Sequence, residues 1–177
     1  MDLSRDYFEL FQLPQRFDVD AALLAERYRA LQQSVHPDRH AGATDQEQRL
    51  AMQYATYVNE AYATLKAPLA RAIYMLDLAG RRIEENPTLD PGFLMQQIEL
   101  REDLEALESG GDGADQAAAS FIARLDGDIA GLETAFGGAM EPDAIQLDAA
   151  EQTVYKLQFL HKLRSEAAAV EERLLGY

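Results

Sequence analysis

Residues 34–40 read Ser-Val-His-Pro-Asp-Arg-His and hold two of the three histidines in a chain of 177 residues. His36 and His40 stand four apart, the spacing of two metal ligands on one helix face, but Pro37 lies between them. Proline biases the residue before it away from αR and has no N–H to offer, so a helix arriving from the N-terminal side ends at or near Val35 and the two rings need not converge. Spacing alone favours the plainest reading, in which Pro37 stops a helix and Asp38 is a solvated turn residue. A catalytic base and a docking loop stay open beside it.

Working outward from this loop, the periodicity is helical nearly everywhere and no run of alternating β-branched residues marks a strand, so the fold class is all-α. Upstream, Leu24, Tyr28, Leu31 and Val35 follow i, i+4, i+7, i+11 spacing behind a cap at Asp18 or Asp20. A shorter helix before it spans Asp6 to Leu13 and stops at Pro14. Downstream of residues 36–43, a third helix starts near Thr44-Asp45 and turns Leu50, Tyr54, Tyr57, Val58, Ala61 and Leu65 inward. Pro68 restarts the chain into a helix that runs from Leu69 to Leu78 and ends at Gly80.

Residues 81–89 break the pattern and contain Asn86-Pro87, which places a linker there, between units at 1–80 and 90–177. Three longer helices follow. Asp90 caps the first with Pro91 in its opening turn, Gly110-Gly111-Asp112-Gly113 separates it from the second, and Gly137-Gly138 to Pro142 separates the second from the third. The middle helix buries Phe121, Leu125, Ile129, Leu132 and Phe136. Short loops between long amphipathic helices predict an antiparallel three-helix bundle.

Composition narrows the functions. An apolar content of 47% supports a real core, and the absence of cysteine removes disulfides, thiol catalysis and sulfur-ligated zinc or iron–sulfur clusters for this polypeptide by itself. Nothing approaches the ~20 apolar residues of a membrane span, and no basic segment with an apolar run opens the chain, so a soluble protein is expected. Net charge is −15, unevenly spread: residues 1–80 hold 8 Lys and Arg against 11 Asp and Glu, residues 81–177 hold 8 against 20. Phosphate backbones are repelled by such a surface, so nucleic acid is not an expected partner.

A second stretch, Phe93 to Leu107, carries an apolar face in the wrong place. At about 100° per residue, Phe93, Leu100, Leu104 and Leu107 fall within about 40° of one direction and form the core stripe. Leu94, Met95 and Ile98 lie about 100–200° away, on a side shared with Glu99 and Glu102. An acid-rimmed apolar triplet off the core stripe is either covered by another part of the chain or is a partner-binding patch.

The opening Asp6-Tyr7-Phe8-Glu9-Leu10-Phe11, the striped second helix, His36-Pro37-Asp38 directly after it, and Asn59-Glu60-Ala61-Tyr62-Ala63-Thr64-Leu65 together resemble the J domain of DnaJ-type co-chaperones. The resemblance implies that His36, Pro37 and Asp38 dock on the ATPase of a DnaK-class chaperone, steered by Arg27 and Arg29. A proline-stiffened loop lowers the ordering cost of such a contact, and an exposed aspartate gives it specificity. The outer face of the second helix, Glu26, Arg29 and Gln33, is less basic than in many J domains, so a weak or partner-dependent contact is expected. His40 has no role in the resemblance.

Over nearly its full length, through "YFELFQLP", "HPDR", "LMQQIELRE" and "KLQFLHKLR", the chain is similar to the HscB co-chaperones of iron–sulfur cluster assembly. That similarity implies a J domain joined to a C-terminal bundle that binds the scaffold IscU and passes it to the chaperone HscA in a bacterial cytoplasm, with no metal or cofactor held by this chain. It assigns scaffold binding to Leu94, Met95, Ile98, Glu99 and Glu102 on the first bundle helix and to Phe159 on the last, although Phe159 also begins a stripe with Leu163, Ala167, Val170 and Leu174. Two departures stand out. An acid that the family often places one turn beyond Glu102 is Ala106 here, next to Glu105. The family's early Leu-Phe-Gly-Leu-Pro is Leu10-Phe11-Gln12-Leu13-Pro14, which touches only local turn geometry.

Two rivals compete with this reading. His161-Lys162-Leu163-Arg164 followed by small residues resembles a histidine-phosphotransfer helix, though the glycine usual after the basic residue is Ser165 and the first 80 residues gain no purpose. A general J-type co-chaperone for unfolded clients is nearer, but the chain lacks the Gly/Phe-rich and Cys-x-x-Cys segments of such proteins. No nucleophile–base pair, phosphate loop or metal-ligand set marks an enzyme.

Overall fold

The computed structural model describes residues 4–35, 44–85 and 87–176. His36, Pro37, Asp38 and His40 therefore lie outside the described residues, as does Asn86 of the linker. The described chain is all-helical and consists of α1 (Tyr7–Leu10), α2 (Ala21–Val35), α3 (Asp45–Lys66), α4 (Pro68–Leu78), α5 (Pro91–Glu108), α6 (Ala114–Ala139) and α7 (Leu147–Leu174). It divides into two compact units, Met1–Ala79 and Gly80–Tyr177. None of its helices is long and apolar enough to cross a membrane, and no group of three or more potential metal ligands gathers among the described residues.

In the first unit, α2 and α3 form an antiparallel pair. Of the two candidate caps, Asp20 starts α2, its carboxylate accepting from the backbone N–H of Ala22 and Leu23 at 2.9 and 3.0 Å. Thr44 opens α3 with a reciprocal capping box to Glu47. Between the two helices Tyr28 stacks on Tyr62 with ring centroids 3.9 Å apart, and its hydroxyl donates to Asn59 Oδ1 at 3.0 Å. Leu24, Val58, Ala61 and Leu65 are buried in the seam, joined by Phe8, Phe11 and Leu13 from the N-terminus and by Ala72, Met75 and Leu76 of α4. Arg71 is buried with them, its guanidinium donating to the Leu65 carbonyl and lying over the Phe17 ring.

Leu50 corrects the expected inward stripe of α3, because it keeps 42% of its surface exposed. The tyrosine stack explains why. With Tyr28 level with Tyr62 and both helices rising equally, the end of α2 at Val35 comes level with about residue 55 of α3. The earlier turns of α3 run past their partner helix, and of their apolar residues Leu50 and Met52 stay exposed while the small Ala51 is buried.

The expected first helix, Asp6 to Leu13, also ends early, at Leu10. Its end is a Schellman closure: Leu13 N–H returns to the Phe8 carbonyl at 2.9 Å and Gln12 N–H to the Glu9 carbonyl at 3.1 Å. Phe8 and Leu13, whose contact usually accompanies this motif, are both buried. The motif demands a left-handed residue between them, and Gln12 supplies it with φ 53°. Gln12 is the sole non-glycine residue with positive φ among those described. Its side chain accepts a hydrogen bond from Arg27 Nη1 at 2.6 Å.

In the second unit the cross-helix ion pairs give the topology. Arg124 of α6 pairs with Asp103 of α5 at 2.5 Å, and Arg164 of α7 pairs with Asp126 of α6 at 3.0 Å. That second pair holds the Arg164 guanidinium above its ordinary pKa, chiefly through the hydrogen bond to Asp126. The short turns at 109–113 and 140–146 make each successive helix antiparallel to the one before, so α5 and α7 run parallel. The core comprises Phe93, Leu100 and Leu104 of α5, Phe121, Leu125, Ile129 and Phe136 of α6, and Val154, Leu157, Leu160, Leu163, Ala167 and Val170 of α7, with Leu107 and Leu132 half-buried at its edge. The described residues of 81–89 form no helix, and Arg81, Glu84 and Thr88 among them are tied to the start of α7. Arg81 bonds Asp148 and Glu151 at 2.7 and 2.8 Å, Glu84 N–H donates to the Tyr155 hydroxyl at 2.9 Å, and Gln152 donates to the Thr88 carbonyl at 3.3 Å.

A left-handed conformation costs an ordinary L-residue about 1–2 kcal/mol, part of which glycine returns as extra freedom in the unfolded chain. Gln12→Gly is expected to stabilise the protein by about 0.5–1 kcal/mol, read as a raised midpoint in urea unfolding. An unchanged or lowered midpoint would show that the bond from Arg27 offsets the backbone cost.

Candidate functional site

The start of α5 sets everything displayed on that helix. Asp90 accepts from Phe93 N–H at 3.0 Å and Pro91 occupies the first helical turn, so the phase of the helix is pinned at its entry. In that phase Phe93, Leu100 and Leu104 point into the core, and Leu94, Met95 and Ile98 point away from it. The last three are 44%, 60% and 53% exposed, so no other helix of the second unit covers them.

The parallel contact between α5 and α7 builds a groove beside this triplet. Two ion pairs cross it with the same sequence offset of 65 residues, Arg101 to Glu166 at 2.7 Å and Arg173 to Glu108 at 3.3 Å. Near the N-terminal end of the seam Phe93 meets Phe159 edge to face, with ring centroids 5.7 Å apart at 90°. The Arg101 guanidinium lies 5.8 Å from the Phe159 centroid. The result is an open groove lined by Leu94, Gln97, Ile98, Arg101, Glu102 and Glu105 of α5 and Phe159 of α7.

Of the residues assigned from the sequence, Leu94, Ile98, Glu102 and Phe159 come together in this groove. Met95 and Glu99, four apart and both exposed, form the adjoining strip of α5 outside it. Phe159 is half-buried, whereas Leu163, Ala167 and Val170 farther along its stripe are buried, so the ring closes the end of the core and also floors the groove. Gln97, Arg101 and Glu105 were not singled out from the sequence. Their signal was present, since 94, 97, 98, 101, 102 and 105 follow i, i+3, i+4 spacing on one helix face. Ala106, the departure from the family pattern, is not in the lining, and its neighbour Glu105 is.

Charge around the groove is one-sided. Asp103 and Glu108 of the same helix are paired with Arg124 and Arg173, while Glu99, Glu102 and Glu105 have no ion pair or side-chain hydrogen bond among the described residues. Arg101, the one cation in the lining, is held by Glu166. Such a surface offers apolar anchors beside anionic acceptors and suits a protein partner with a basic, partly apolar face.

In the first unit, Arg27 is half-buried against Gln12 and Arg29 is exposed. Two positions apart on α2, they project about 160° from each other and do not share a face. His161, the phosphoryl acceptor of the rival reading, is half-buried and its Nε2 has no exposure to solvent, so an incoming phosphoryl group has no path to that nitrogen.

Comparison with known proteins agrees with this geometry. The family described as HSCB C-terminal oligomerisation domain matches residues 89–168. The Co-chaperone protein HscB homolog of Burkholderia multivorans is 42% identical over 181 residues, spanning 98% of both chains. Co-chaperone protein HscB of Proteus mirabilis is 43% identical over 173 residues, spanning 96% of this chain and 97% of that one. Among solved structures, chaperone HscB from Vibrio cholerae superposes with a TM-score of 0.84 at 39% identity, over 96% of this chain and 99% of that one. The crystal structure of human co-chaperone protein HscB gives 0.85 at 29% identity, over 96% of this chain and 83% of that one. The all-helical chain, a J domain followed by a C-terminal helical bundle, belongs to the HscB family of co-chaperones.

Proposed function

We propose that this co-chaperone binds the iron–sulfur scaffold IscU through the α5–α7 groove and delivers it to the DnaK-class chaperone HscA, whose ATPase it stimulates through His36, Pro37 and Asp38. The observation that carries the scaffold half is the exposed triplet Leu94, Met95 and Ile98 beside Phe159 and the acids Glu99 and Glu102, which have no ion pair among the described residues. Apolar surface left in water in this quantity on one helix face stabilises nothing within the chain, and burying it against a partner is favourable by about 25 cal/mol per Å². The chaperone half rests on the resemblance of residues 1–80 to a J domain, with Arg29 on the outer face of α2 available to steer the contact and Arg27 tied to Gln12. The chain contributes no reaction step of its own. It acts in a bacterial cytoplasm by holding two partners together, which raises the concentration of each in the neighbourhood of the other.

The two halves separate by mutation. In steady-state ATP hydrolysis by HscA with IscU present, His36→Gln is expected to abolish stimulation while leaving scaffold binding intact, and a variant that still stimulates would remove the loop from the mechanism. Leu94→Ala combined with Ile98→Ala is expected to lose IscU binding in calorimetry and yet keep the thermal midpoint within a few degrees, since exposed positions cost little. Leu104→Ala, in the core of the same helix, should instead destabilise the protein by about 2–5 kcal/mol. Comparable destabilisation by the two sets of substitutions would mean that the triplet is structural.

A further inference from the structure

The groove's acids stand beside a cation that is kept from neutralising them. Arg101 and Glu105 are four apart on α5, the spacing at which opposite charges on a helix pair most readily. Yet Arg101 turns across the seam to Glu166 of α7 at 2.7 Å, and Glu105 is left with no ion pair among the described residues. The same position sets the Arg101 guanidinium over Phe159, a contact that draws it farther toward α7. Glu102, on the next step of the lining, likewise has no ion pair among the described residues.

We propose that Glu105 is an additional partner-binding acid of the groove, receiving a cation of the scaffold beside the one received by Glu102, and that Glu166 keeps it available by holding Arg101 across the seam toward α7. Glu105 would then be a contact residue and Glu166 a positioning residue that never touches the partner. The inference rests on the groove being the scaffold site, and it adds a requirement on the occupant: two basic groups about one helical turn apart, flanking an apolar anchor that meets Leu94, Ile98 and Phe159.

The chemistry behind the role of Glu166 is competition for one guanidinium. Replacing Glu166 by Gln removes the cross-helix charge, and the carboxylate at i+4 spacing from Arg101 on the same face of α5 is Glu105. An Arg101–Glu105 pair would neutralise that acid, leaving one fewer carboxylate to receive the partner's cation. Both ends of the Arg101–Glu166 pair are substantially exposed, with side chains at 42% and 35%, so the substitution is tolerated by the fold.

Calorimetric titration of the full-length protein with purified IscU, at low and at high salt, tests this together with thermal unfolding of each variant. Glu105→Gln is expected to weaken binding roughly two- to fivefold at low salt, the range of one exposed ion pair, and to flatten the salt dependence. Glu166→Gln should weaken it in the same direction, and the effect should vanish when Glu105 is already Gln, since the released Arg101 then has no carboxylate four residues along α5 to pair with. Unchanged affinity and salt dependence in Glu105→Gln, with Leu94→Ala/Ile98→Ala still abolishing binding, would overturn the inference and leave the groove as the scaffold site. A Glu166→Gln effect that persists beside Glu105→Gln would overturn the positioning role. Failure of the unaltered protein to bind IscU, or normal binding by Leu94→Ala/Ile98→Ala, would remove the scaffold reading and this inference with it.

Discussion

The parallel register of α5 on α7 is the constraint from which the rest of the second unit follows. Two helices joined by a third that runs back between their ends must lie parallel, and α6, with 26 residues, is long enough at about 39 Å to return the chain past both. Once α5 lies on α7 with an offset of 65 residues, Arg101 meets Glu166, Glu108 meets Arg173 and, one residue out of step, Phe93 meets Phe159. A slip of one residue would turn the facing surfaces by about 100° and bring acids such as Glu105 or Asp103 into an apolar seam. The groove is thus no separate feature added to the bundle. It is the edge of the seam, and its shape is fixed by the register that closes the core.

Stability and specificity come from different contacts in this unit. The buried leucines, phenylalanines and valines supply the hydrophobic term, each worth about 1.5–3 kcal/mol on full burial. The four ion pairs between helices are exposed and contribute little apiece, typically below about 1 kcal/mol. Their value lies in selecting one alignment among several that would bury similar apolar area, and in consuming the arginines. With Arg101, Arg124, Arg164 and Arg173 committed within the bundle, the acids on the outer face of α5 keep their charge free for a partner.

Much of this was legible in the sequence because it is local. Pro68 and Pro91 at helix starts, the Asp90 cap and the Gly110–Gly113 turn each act within a few residues, and the helices they bound appear where expected. The off-stripe triplet was legible too, since helix phase follows from Phe93, Leu100 and Leu104 alone. Leu50 was misread because its burial depends on where α2 ends relative to α3, a level set by the Tyr28–Tyr62 stack and invisible to a single helix's periodicity. Arg101 was passed over for the same reason: its partner lies 65 residues away, and only the seam reveals it. Gln12 marks the opposite case. The departure from the family's glycine was visible, but the Schellman closure that gives it meaning required Leu13 N–H to be seen returning to the Phe8 carbonyl.

The uneven charge of the chain bears on how two partners could be served in sequence. Residues 81–177 carry 8 basic against 20 acidic residues, so a basic scaffold is attracted over distances up to about a Debye length, roughly 8 Å at physiological salt, before any side chain docks. The outer face of α2 offers Glu26, Arg29 and Gln33 and has no comparable field, so an encounter with a chaperone through that face alone gains little from steering. On the proposed reading this asymmetry is useful. A strongly steered first partner and a weakly held second one make capture of the scaffold precede the chaperone contact, and the bound scaffold, itself a ligand of the chaperone, then supplies the missing affinity through effective concentration. On the same reading a strong chaperone contact would occupy the chaperone with empty co-chaperone, and weakness on α2 and charge on α5 would be two parts of one ordering device.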